Sequence, residues 1–114
     1  MAFKAEPEGT LPEYNGWTNF GTWAVWCHLT NDQYLHNRLI EFSLTDPSVD
    51  QIKTFVRSKA FYGSPSCHMA IDLQEWARRY NHRSIEWSYA QIDWEGLKRH
   101  MAEFREEVEL KEVA

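Results

Sequence analysis

Apolar and polar positions follow one another along the chain with a helical rhythm. Phe20, Trp23, Ala24, Cys27 and Thr30 step by three and four, the signature of one helical face, with Thr18 or Asn19 placed to cap it. Trp26 falls off that stripe. Asn31 and Asp32 punctuate the chain, and Asn31 is the expected cap of a second helix carrying Tyr34, Leu35, Leu39 and Phe42. After the Thr45-Asp46-Pro47 break, Ser48 with Gln51 reads as a capping box. The third helix presents Val49, Ile52, Phe55 and Val56, with Gly63 as its stop. A fourth, capped at Asp72 or starting several residues earlier because Met69-Ala70-Ile71 also suits a helix, turns Leu73, Trp76, Ala77 and Tyr80 inward.

The next stretch is ambiguous. Ile85, Trp87 and Tyr89 alternate as in a strand, while Ile85, Tyr89 and Ile92 fit a helical turn. No convincing partner strand exists, so a short helix or irregular segment is expected. Asp93 then caps a final helix. Its residues Trp94, Leu97, Met101, Phe104 and Val108 hold the strongest periodicity in the sequence. A core-facing helix is the first expectation for this seam, and a homodimer through 94–108 is the alternative. The pattern predicts an all-α, compact single domain of four to five short helices over residues 14–110. Acidic, breaker-rich residues 1–13 are expected to be a flexible tail, and 111–114 a second tail.

Composition sharpens this picture. The 114 residues include six Trp, and aromatics make up 15% of the chain, so rings must supply much of the core. A surplus of rings also suits a recognition surface. The formal net charge of −5 disfavours broad nucleic-acid binding and permits a basic protein partner. Two Cys are too few for a disulfide scaffold, and no apolar run spans a membrane. The expected compartment is the cytoplasm, with both thiols reduced.

Candidate chemistry is sparse. Cys27-His28 and Cys67-His68 supply enough ligands for zinc on paper, but helical neighbours diverge by about 100° and rarely share one ion. His28, Asp32 and His36 form a ladder only if no helix break falls at Asn31. Cys67 beside His68 is a nucleophile only if a base lies near it in space. Gly-rich phosphate loops and serine-hydrolase elbows are missing. No metal site, cofactor or catalytic set is therefore expected. Arg78, Arg79 and Arg83, with His82 and interleaved with Trp76 and Tyr80, can clamp phosphates and stack a base. Relief of a helix C-terminus explains the same cations more simply.

One resemblance adds a setting. Tyr14-Asn15-Gly16-Trp17-Thr18-Asn19-Phe20-Gly21-Thr22-Trp23-Ala24-Val25, followed by Asn31-Asp32 and later by Ile92-Asp93-Trp94, resembles a family of short, largely uncharacterised proteins of bacteriophages and other mobile elements. Its members open with Asn-Gly-Trp-x-Asn-x-x-Thr-Trp. Gly21 stands where a bulkier polar residue is usual, and His68–Gln91 has no counterpart. The resemblance implies an accessory protein acting in a host cell and no catalytic residues. The residues themselves have a structural reading, in which Asn15-Gly16 turns the chain, Trp17 staples the helix and Trp23 anchors the core. The expected function is non-catalytic docking on a host protein, to inhibit or redirect it, with Trp26, Trp87 and Tyr89 as exposed anchors. The alternatives are a nucleic-acid module using Arg78, Arg79 and Arg83, and an acidic inhibitor that mimics DNA.

Overall fold

A computed structural model describes residues 11–61 and 68–113 of the chain. These residues form six helices and no named strand: α1 (Phe20–Asn31), α2 (Gln33–Ser43), α3 (Val49–Phe61), α4 (His68–Arg78), α5 (Ile85–Gln91) and α6 (Trp94–Val113). The all-α class agrees with the periodicity, but the helix count exceeds the expected four to five. The ambiguous stretch condenses into a seven-residue helix, α5, in its own right.

Local chemistry sets the boundaries. Asn15 and Gly16 take positive φ values of 47° and 83°, and Tyr14 and Trp17 exchange two backbone hydrogen bonds across them. This is the tight two-residue turn that an Asn-Gly pair favours. Asn19 caps α1, its Oδ1 accepting from the Thr22 amide at 3.0 Å. Asp32, not Asn31, caps α2 by accepting from the Leu35 amide at 3.0 Å. Only Asp32 has the extended backbone a cap needs, because Asn31 still belongs to α1. The Ser48–Gln51 capping box forms reciprocally, at 2.8 and 3.2 Å. Helix α4 begins at His68, the earlier of the two expected starts, so Asp72 is an interior residue and not the cap. Gly63 and Cys67 lie outside the described residues.

The core runs through all six helices. Val25 and Leu29 of α1 meet Leu35 and Leu39 of α2, Ile52 and Val56 of α3, Met69 and Leu73 of α4, and Leu97 and Met101 of α6. The expected α1 stripe is displaced. Its buried residues are Gly21, Thr22, Ala24, Val25 and Leu29, while Phe20, Trp23 and Cys27 are only half-buried. Helix α1 touches α2, α4, α5 and α6, and a helix covered on several sides needs no single apolar stripe. The 94–108 seam divides. Trp94, Leu97 and Met101 are buried in the chain's own core, which leaves these three unavailable to a second copy. Phe104 and Val108 stay half-buried. Helix α6 continues through Val113, so residues 111–113 are helical and not the expected tail. Of the expected N-terminal tail, residues 1–10 lie outside the described residues, and Leu11 packs against the core.

Candidate functional site

The polar residues of the two sequence motifs meet each other. The Thr18 hydroxyl donates to Asp93 Oδ2 at 2.6 Å, and Asn19 Nδ2 donates to the Gln91 carbonyl at 2.8 Å. The Asp93 amide donates to Thr22 Oγ1 at 2.9 Å, and that hydroxyl in turn donates to Asn19 Oδ1 at 2.8 Å. Asp93 also caps α6 by accepting from the Gly96 amide at 2.9 Å. The Thr18 hydroxyl holds the Asp93 carboxyl below its ordinary value against partial burial, helped by the Gly96 amide and the charges of Arg99 and His100. This clamp joins the start of α1 to the start of α6. Gly21 lies within it for a steric reason: a Cβ there would enter the Trp76 ring.

Beside the clamp, rings gather at the surface. Trp17 stacks on His100 with centroids 3.9 Å apart, and lies 6.1 Å from Trp26. Trp26 meets Phe104 edge to face at 5.9 Å and 88°, and His36 stands edge-on to Phe104 at 5.7 Å. Trp17, Trp26, His36, His100 and Phe104 are all half-buried. A groove of about 310 Å³ opens there, lined by Trp26 and Thr30 of α1 and by His100, Glu103, Phe104 and Glu107 of α6. The four α6 residues follow the i, i+3, i+4, i+7 rule and so share one face. Thr30 is occupied, its hydroxyl donating to the Trp26 carbonyl at 2.9 Å. The groove is thus an aromatic pair with His100 and two carboxylates along its α6 side, and it holds no nucleophile–base pair.

Of the three expected anchors, the structure places one at the surface. Trp26 lines the groove. Trp87 is buried at 8% exposure, between Trp76 at 5.1 Å and the stacked Tyr80 at 4.9 Å. Tyr89 is buried at 4%, covered by the Arg57 guanidinium 4.7 Å over its ring. Burial pushes its hydroxyl up to about 12, partly opposed by Arg57. Both were expected to be exposed because they leave a simple stripe. A short helix enclosed on both sides buries consecutive residues instead: Ser88 donates to the Leu73 carbonyl at 2.6 Å, and Trp94 Nε1 to the Tyr89 carbonyl at 3.0 Å.

Arg78, Arg79 and Arg83 are exposed where α4 ends, and Arg78 pairs with Glu75 at 3.4 Å. The rings interleaved with them, Trp76 and Tyr80, are core residues and present no face to a base. The His28–Asp32–His36 ladder is broken between α1 and α2. His28 turns to Asp72 of α4, at 2.7 Å, and His36 to Phe104. Among the described residues no group of three potential ligands is placed to hold a metal ion. Burial pushes the Cys27 thiol up, away from the reactive thiolate. Among the described residues no helix is long and apolar enough to cross a membrane.

The sequence pattern passed over Trp17, His100, Glu103 and Glu107 as site residues. The signal was present in α6: 100, 103, 104 and 107 form a second stripe beside the core seam, and both stripes include Phe104. No protein-family model matches the chain, and neither does any curated protein or solved structure.

Proposed function

We propose that this chain is a non-catalytic, phage-type accessory protein that docks on a host protein through the Trp26 groove and inhibits or redirects it. The observation that carries this reading is the half-buried state of Trp26 and Phe104 in one groove, with Trp17 stacked behind it on His100. Aromatic anchors in a concave patch are the usual energetic centre of a protein interface. The net charge of −5 adds steering towards a basic partner. The resemblance of the opening motif to mobile-element proteins supplies the host setting.

The test is affinity capture from a bacterial lysate with the full chain, with partners identified by mass spectrometry. A Trp26→Ala, Phe104→Ala double variant that keeps its helical circular dichroism is expected to lose the captured protein. An Arg78→Glu, Arg79→Glu, Arg83→Glu triple variant is expected to keep it. Capture that survives the first variant and fails with the second overturns the reading.

A further inference from the structure

We propose that the groove takes an arginine-bearing segment of the partner protein, its guanidinium laid on the Trp26 face and paired with Glu103 and Glu107. This rests on the docking reading above and assigns the chemistry of its occupant. The groove supplies two aromatic rings and two carboxylates, together with the His100 imidazole and the Thr30 hydroxyl. Trp26 and Phe104 meet edge to face, at 88°, and so form an aromatic wall of the groove. Glu103 is held only loosely, with a side chain 73% exposed and His100 as an ion-pair neighbour at 3.8 Å. Glu107 is exposed. The two carboxylates lie one helical turn apart, about 6 Å along α6, a span over which one planar cation can reach either or both.

Charge complementarity decides the sign. No Lys or Arg lines the groove, and its one basic side chain, His100, lies beside Glu103 at 3.8 Å. The nearest cations along α6 are turned elsewhere: Arg99 lies 3.9 Å from Asp93, and Arg105 pairs with Asp46 at 3.4 Å and Glu109 at 3.6 Å. An anionic ligand would meet two carboxylates and a Thr30 hydroxyl already donated to the backbone. A cation meets ring faces whose quadrupoles attract it, with the carboxylates within reach. Arginine fits better than lysine because its flat, weakly hydrated guanidinium stacks on a ring while its N–H edge stays free to bond a carboxylate.

The probe is a capped Gly-Arg-Gly-Arg-Gly peptide titrated into the full, ¹⁵N-labelled chain, with Lys and Glu versions as comparisons. The readout is the Trp26 indole N–H signal, assigned from a Trp26→Phe variant. The Arg peptide is expected to shift this signal and the Lys peptide to bind more weakly. The Glu peptide should leave it unmoved. The Glu103→Gln, Glu107→Gln double variant removes only exposed charges, and it should weaken Arg-peptide binding about tenfold or more. Equal binding of the Arg and Glu peptides overturns the inference, as does Arg-peptide binding unchanged by the double variant. If all three peptides leave the Trp26 signal still while cellular capture depends on Trp26, the basic occupant is wrong and docking stands. If capture ignores Trp26 as well, both fail.

Discussion

Two groups of rings flank helix α1 and have opposite surroundings. On one side Phe20 leads to Trp76, which meets Tyr80 and Trp87, with centroid separations of 4.9–6.2 Å. Trp76, Tyr80 and Trp87 are buried, sealed by the turn that follows α4 and by α5. On the other side Trp17, Trp26, His100 and Phe104 make contacts of similar length, 3.9–6.1 Å, and all stay half-open to water. Ring-to-ring distance therefore does not separate core from surface here. What separates them is whether another element closes over the group. The first is shut between α4, the turn after it and α5, which carry its buried rings, while the second keeps a water-facing side.

The sharpest way to break this comparison is to truncate one ring on each side. Trp76→Ala is expected to cost about 3–5 kcal/mol by opening a core cavity. Trp26→Ala should cost less than half as much, because its water-facing part loses little. Urea denaturation of both variants checks the order, and equal losses would remove the distinction. Next in size is Gly21→Ala. Its methyl group would intrude on the Trp76 ring, so overpacking of about 1–3 kcal/mol should exceed the helix-propensity gain. A lower melting temperature than wild type is the expected result.

Asp93 fixes where α6 begins, the helix that carries His100 and Phe104 of the open group. Asp93→Ala should cost about 1 kcal/mol through the lost cap. In the NMR spectrum it should disturb the Trp17 and Trp26 indole signals more than those of Trp76 and Trp87. Acid titration gives the sign independently. The fold lowers the Asp93 pKa from its ordinary 3.8, so its stabilising contribution is complete above that value. It disappears as pH falls through the lower folded value. Stability of Asp93→Asn should accordingly fall less steeply than wild type below about pH 4. The smallest effect belongs to the Glu103→Gln, Glu107→Gln pair. Stability should stay within about 0.5 kcal/mol of wild type, which would assign any loss of binding to the groove and not to the fold.

Much of the fold was legible because its signals are local. Ser48 with Gln51, Asp93 before Trp94, and Leu73, Trp76, Ala77 and Tyr80 of α4 behave as their spacing predicts. The misreadings share a cause, which is enclosure by distant elements. Helix α1 is covered on several sides and α5 is wedged against α4, so stripe logic misplaced Trp23, Trp87 and Tyr89. The groove was half-legible. Trp26 stood out as a ring off its stripe, but Glu103 and Glu107 read as ordinary solvated acids. Only tertiary structure sets them beside a tryptophan more than seventy positions earlier.

The clamp between Thr18, Asn19, Thr22 and Asp93 has a kinetic side. It closes a loop of some seventy residues, a contact that a folding chain completes late because so much intervening freedom must be surrendered first. Trp17 follows the hairpin turn and His100 rides on α6, so their stacked rings come together only when that loop shuts. A molecule resting on those rings favours the shut state. Its presence should register as slower exchange of the Asp93 amide, which the clamp holds and the molecule does not touch.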